Sequence, residues 1–354
     1  MKDSSAVSRE SEVRIHFREQ GRICEAMGSP LSASVCAILA DMLDHGTATG
    51  RRALAWQGNP RGDALSLRLL GGLHRLVLGG KDDELVAAYP PNVIADDGLR
   101  GALAGALARH DAGLCEALDA PPQTNEIARS AMLFPGFLAI TRETGLPLDI
   151  REIGSSAGLN LLFDSFRYDY GGVAAGRAAS PVHLRPETRG AAIPLAGDLL
   201  VRSRAGSDIA PVDISDPAAR LRLRSFVWAD QKERLRRLDD AIAIAEREPC
   251  AMTRADAAGF VRGELAARRA GAAFVLFHSI MWQYLPRETR RDIEATLDRA
   301  GRSAKADAPL AWLFMEPANA GATAATLALT IWPDGRRREL ALCDFHGRWI
   351  EWLK

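Results

Sequence analysis

The stretch Glu152-Ile153-Gly154-Ser155-Ser156-Ala157-Gly158-Leu159-Asn160 decides how the chain is read. It closes a short apolar run, Leu146-Pro147-Leu148-Asp149-Ile150-Arg151-Glu152-Ile153, and opens a second, Leu159 to Phe163. Strand, glycine turn and helix in that order build a mononucleotide-type site. Glycine at a strand end lets backbone approach a ligand with no Cβ in the way, and the next helix N-terminus leaves N–H donors free. Glu152, two positions before the first glycine, is suited to receive a ligand amine or a bound water.

Working outward toward the C-terminus, strands are expected at Leu199 to Arg202, around Cys250 to Thr253, at Ala273 to Phe277 and at Leu310 to Glu316. Helical patterns separate them at Pro217 to Glu246, Phe260 to Ala270 and Pro286 to Ala300. Such alternation implies a mostly parallel sheet with helices on both faces. The end differs, because Thr326 to Ile331, the turn Pro333-Asp334-Gly335 and Arg338 to Cys343 read as a β-hairpin. Tyr168 to Gly197 is rich in Gly, Ala and Pro and reads as an irregular insertion. Toward the N-terminus, apolar residues recur at helical spacing, as in Leu65, Leu69, Leu73, Leu76 and Val77. Breaks such as Gly28-Ser29-Pro30, Tyr89-Pro90-Pro91-Asn92 and Ala120-Pro121-Pro122 divide that half into five or six helices. The expected division is therefore an α-helical domain over 1–145 and an α/β domain over 146–354.

Composition narrows the function classes. Of 354 residues 47% are apolar, enough for a sizeable core. Lys plus Arg equals Asp plus Glu at 45 each, so bulk charge offers no grip on a phosphate backbone and nucleic acid is not the expected partner. The five cysteines are scattered without a CxxC pair, and the seven histidines form no i, i+3 or i+4 pair, which argues against a disulfide framework and a zinc site. No apolar run approaches the roughly 18 residues a bilayer demands, and the charged N-terminus lacks a leader's apolar core. The expectation is a cytoplasmic protein that acts on a small molecule, with no membrane partner.

The turn resembles the first motif of class I S-adenosylmethionine-dependent methyltransferases, acidic-apolar-Gly-x-Gly-x-Gly, with Ser156 where the middle glycine is usual. That resemblance implies a Rossmann-like methyltransferase-type sheet with an antiparallel C-terminal hairpin, and S-adenosylmethionine as cofactor. It assigns Glu152, Gly154, Ser155 and Gly158 to the cofactor's methionine and ribose portion, counts Ser156 and Asn160 among the cofactor-binding residues, and gives Asp208 or Asp213 to the ribose and Asp256 to the adenine. Phe277-His278-Ser279-Ile280-Met281-Trp282-Gln283-Tyr284 is similar to the segment after the fourth strand. There His278 stands as a base, Ser279 faces the cofactor, and Trp282 and Tyr284 wall the substrate. Gln123-Thr124-Asn125-Glu126 offers Gln123, Asn125 and Glu126 to a substrate beneath a helical lid. Over its full length the chain also resembles a bacterial family defined as a domain of unknown function. Ser66 to Arg75, Pro121 to Glu126, Val227-Trp228-Ala229-Asp230-Gln231, His278 to Pro286 and His346-Gly347-Arg348-Trp349 carry that likeness together with the glycine turn.

Each residue also has a structural reading. Asp208, Asp213 and Asp256 suit helix caps, Thr124 or Asn125 suits an N-cap, and His74 and His278 suit buried core positions. Gly154 to Gly158 is in addition a literal G-x-S-x-G, which makes Ser156 a candidate hydrolase nucleophile with His346 as base and Asp334 or Asp344 as orienting acid. A third reading keeps the fold as a non-catalytic scaffold. A P-loop is excluded, since no GxxxxGK[ST] occurs.

Overall fold

The computed structural model describes residues 3–92, 94–123, 125–319 and 321–353; Thr124 lies outside them. Eight helices come first: α1 (Asp3–Ala26), α2 (Pro30–Met42), α3 (Ala48–Leu54), α4 (Leu65–Leu78), α5 (Asp83–Ala87), α6 (Asp96–Arg109), α7 (Asp111–Ala117) and α8 (Arg129–Thr144). The excess over the expected five or six comes from α3, α5 and α7, one or two turns each and too short for a helical period to register.

The chain divides into two compact units, one comprising 1–124 and 215–236, the other 125–214 and 237–354. The first is helical and contains α1 to α7 together with α9 (Pro217–Ser225). Its core is built from leucines such as Leu39, Leu65, Leu69 and Leu73, all without exposed surface. Two residues explain why 215–236 belongs with it. The Asp230 carboxylate accepts from the Leu31 backbone N–H at 2.9 Å and from the Ser29 hydroxyl, so it caps α2 from a distant part of the chain. Phe226 packs on Gly71 of α4, where any Cβ would come within 2.7 Å of the ring. The long helical pattern expected over Pro217 to Glu246 is accordingly two helices, α9 and α10 (Lys232–Arg247), parted by the Trp228-Ala229-Asp230 segment that makes the cap. The expected boundary near 145 falls instead at 124, because α8 buries its apolar surface on the sheet of the second unit.

In the second unit the strands are β1 (Leu148–Ile153), β2 (Arg167–Tyr170), β3 (Val173–Gly176), β4 (His183–Leu184), β5 (Glu187–Gly190), β6 (Val201–Asp208), β7 (Ala251–Arg254), β8 (Ala273–Ser279), β9 (Leu310–Pro317), β10 (Ala325–Trp332), β11 (Arg336–Cys343) and β12 (Trp349–Trp352). Nine of them form one mixed, mostly parallel sheet in the order β5-β12-β11-β10-β9-β8-β1-β6-β7. From β7 to β9 every pairing is parallel, whereas β9, β10, β11 and β12 run as an antiparallel meander, which places the expected hairpin at β10 and β11. The stretch read as irregular, Tyr168 to Gly197, holds a small sheet, β3-β2-β4, and the edge strand β5, parallel to β12.

Helices cover both faces of the large sheet. On one, α11 (Ala257–Ala266) and α12 (Arg287–Arg302) pack together. On the other lies α8, whose Phe137 stacks on Phe163 with centroids 3.8 Å apart and meets Phe277 of β8 edge-on at 5.2 Å. Burying rings of this size contributes about 2 to 3 kcal/mol each. The apolar run after the glycine turn forms a seven-residue 3-10 helix, Leu159–Ser165, in place of the longer helix its position implies. No helix among the described residues is long and apolar enough to cross a membrane.

Candidate functional site

The parallel strands define the place to look. From β1 the chain steps to β6 and β7 on one side and then returns to β8 on the other, so the strand order reverses between β1 and β8. In open α/β sheets ligands bind at such a reversal, beyond the carboxyl ends of the strands. Gathered at that edge are the glycine turn after β1, Asp208 ending β6, His278 and Ser279 ending β8, and Glu316 near the end of β9.

The turn is tightly specified. Gly154 has φ +66°, Ser156 +54° and Gly158 +70°. For glycine that region is free, whereas for serine it costs energy that the surroundings must offset. They do so through Asp208, whose Oδ2 accepts from the Ser156 N–H at 2.9 Å while Oδ1 accepts from Ala210 N–H at 2.9 Å. The Ser155 hydroxyl donates to the Glu152 carbonyl at 2.8 Å, and its N–H donates to the Ser207 carbonyl at 3.0 Å. A second strained residue lies opposite, since Ile280, just after β8, has φ +51°. Two non-glycine residues with left-handed backbone thus flank the reversal point.

Around this turn lie buried polar atoms with no hydrogen-bond partner: Glu152 Oε2, Ser156 Oγ and Ser207 Oγ. Burial pushes the Glu152 carboxyl well above the usual range, Arg129 pulls against that shift and the Asp208 charge adds to it. Arg129 donates to the Phe345 carbonyl at 3.0 Å and the Ser279 carbonyl at 3.4 Å. Asn125 does not cap α8. Its Oδ1 accepts from Leu159 N–H at 3.0 Å, the first donor of the 3-10 helix, and Ser130 Oγ donates to Asn160 Oδ1 at 2.8 Å. Glu126 is buried, with Oε1 accepting from Ala128 N–H at 3.2 Å and Oε2 3.8 Å from His346 Nδ1.

His278 is fully buried, and both ring nitrogens are engaged. The Trp312 indole can only donate, so His278 Nε2 accepts from it at 3.1 Å and the ring proton sits on Nδ1, 2.8 Å from Glu316 Oε1. Trp282 stacks on one side of the imidazole (4.9 Å) and Phe314 on the other (5.4 Å). Both ring nitrogens are therefore taken up within the protein, which leaves His278 none free to abstract a proton and lets it hold its neighbours. Glu316, which carries no motif in the sequence, is what it positions. Oε1 of that carboxylate also accepts the N–H groups of Met281 (3.0 Å) and Trp282 (3.2 Å), while its buried Oε2 has no partner. A carboxylate near the end of an otherwise apolar strand, at the carboxyl edge where open α/β sheets in general bind ligands, was the signal available.

The remaining expected residues scatter. Asp256 is exposed and caps α11, accepting from Gly259 N–H at 2.8 Å. Asp213 and Tyr284 are exposed, Tyr284 to 75%. Gln123 belongs to the first unit, where its Oε1 accepts from Arg222 at 3.4 Å. The hydrolase triad is not assembled. Ser156 Oγ has no partner, Asp344 is taken up by Arg348 and the backbone of His346, and Asp334 turns the β10–β11 hairpin at the opposite edge of the sheet, beside the start of β9.

Sheet order defines an α/β protein with a Rossmann-like sheet and a cluster of buried polar side chains at its reversal point. Over residues 14–352 the chain matches the family described as an uncharacterized protein conserved in bacteria (DUF2332), and it belongs to that family. No curated protein and no solved structure matches it.

Proposed function

We propose that the chain binds S-adenosylmethionine at the ends of β1, β6 and β8 and passes its methyl group to a small-molecule acceptor. The observation that supports this reading is the set of orphaned buried atoms, Glu152 Oε2, Ser156 Oγ and Ser207 Oγ, around a strained glycine turn. Buried polar atoms normally find partners, so a ligand rich in amine and hydroxyl donors fits a carboxylate and two hydroxyls left without them. When bound, the cofactor supplies a sulfonium-activated methyl group.

The chain's own residues do the rest. Glu152 and the hydroxyls hold the donor end, and Asp208, already fixing the turn through Ser156, keeps acceptor capacity for a ribose hydroxyl. Asp256, whose carboxylate spends one oxygen on its helix cap, serves the adenine amine. His278 and Trp312 hold Glu316, which fastens Met281 and Trp282 by their N–H groups. In this reading the second oxygen of Glu316 takes the proton of the acceptor, and Trp282 and Tyr284 form the acceptor wall.

Calorimetric titration of the full chain with S-adenosylmethionine and S-adenosylhomocysteine tests the proposal. Gly154→Val is a poor control, because a Cβ there would meet Met281 at 2.9 Å in a left-handed backbone. Glu152→Met removes the carboxylate instead. Binding near micromolar that this variant loses while keeping its circular dichroism supports the reading. No binding of either ligand up to about 1 mM, some 4 kcal/mol of affinity, sinks it and favours a non-catalytic scaffold.

A further inference from the structure

At the opposite edge of the sheet, where β1, β6 and β8 begin, lies a cavity of about 480 Å³. Asp149, Arg151, Arg202, Ser203, Arg268 and Arg269 line it, with Phe274 as an apolar wall. Two of the four guanidiniums are committed. Arg202 forks onto Asp149, which also accepts from the Ser203 hydroxyl at 2.7 Å, and Arg151 pairs with Glu264 while lying 5.6 Å over the Phe274 ring. The other two, adjacent on the segment after α11, make no ion pair among the described residues. Arg268 is half-buried, its Nη1 is shut off from water without an acceptor, and burial alone pulls its pKa down. A cation is not left in that state cheaply, and the carboxylates of Asp149 and Glu264 balance only their own partners.

We propose that this cavity is a second ligand site that takes a small multivalent oxyanion, a phosphoryl or pyrophosphoryl group on a compact metabolite. Planar guanidinium forks match the oxygens of such groups, the volume lies in the range of small-molecule sites, and the arginine excess supplies the attraction. The site is separate from the polar cluster at the other edge and does not depend on what that cluster binds.

Inorganic pyrophosphate and inorganic phosphate, titrated into the full chain at constant ionic strength, are the probes. Pyrophosphate is expected to bind with a Kd below about 1 mM. Arg268→Met should weaken it about tenfold or more, whereas Arg247→Met, on the exposed last turn of α10, should leave it unchanged. If Arg268→Met does not fold, the exposed Arg269→Ser takes its place, with loss of binding supporting the site and unchanged affinity refuting it. Absence of binding to about 10 mM, or equal weakening by Arg247→Met, overturns the proposal by leaving only diffuse charge attraction. Titrations with S-adenosylmethionine should be indifferent to both cavity variants, so the two proposals fail separately.

Discussion

Asp82 in the helical unit and Glu152 in the sheet unit are both carboxylates shut away from water, 5% and 3% exposed, yet their surroundings are opposite. Asp82 is surrounded by donors: Arg109 through two nitrogens, His110 Nε2 at 3.0 Å and the Leu85 N–H at 3.0 Å, the last making it the cap of α5. Arg109 above all holds its carboxyl below the usual range. Glu152 has an oxygen with no donor at all, and burial drives its carboxyl the other way. A buried charge that is fully paired holds a fold together. One that is left wanting is a standing penalty, kept where a ligand can relieve it.

The contrast predicts opposite signs on mutation. Asp82→Ala should lower stability by about 2 kcal/mol, since it removes the helix cap on the buried Leu85 N–H and the acceptor of Arg109; the urea midpoint measures it. Because the folded pKa of Asp82 is depressed, the gap to wild type should be fully open above the ordinary value of 3.8 and close only as pH falls below it. Glu152→Met should raise stability by about 1 kcal/mol at neutral pH by removing the unpaired carboxylate. Its gap should open as pH rises past 4.5 toward the elevated folded pKa, because there the folded chain holds a proton that the unfolded one has lost. An unstable Glu152→Met would erase the distinction between the two carboxylates. The smallest effect is expected at Asp256. Its loss to Ala should cost about 0.5 kcal/mol as a missing exposed cap, and Asp256→Ser should recover that while leaving any defect in S-adenosylmethionine affinity, which separates the cap from the ligand role.

Much of the fold was legible in the sequence. The parallel strands show as short apolar runs, and four of them both begin and end within two residues of the expected limits. Periodicity, however, carries no partner information. It ran α9 and α10 together, since the segment between them is set by the cap that Asp230 gives α2, two hundred residues away in sequence. It also left Tyr168 to Gly197 blank, because strands of two to four residues have no room to alternate. At the reversal point the glycine turn and Asp208 were legible because both sit at strand ends, where sequence pattern is local. For His278 the sequence shows a histidine at the end of a strand, and only the fold reveals that Trp312 and Glu316 occupy both its nitrogens. Arg129 and Glu316 carried no motif, and they enter through the register of α8 and β9 alone.

The helical unit is discontinuous in the chain, and this governs the order in which the ribosome can complete it. The cap of α2 and the ring seated on Gly71 leave the exit tunnel only after β1 and β6 have already emerged. An N-terminal fragment ending near residue 145 would display an open groove on α4 and an uncapped α2. At about 5 to 20 residues per second, those two contacts become available only after residues 125–214 of the other unit have been made.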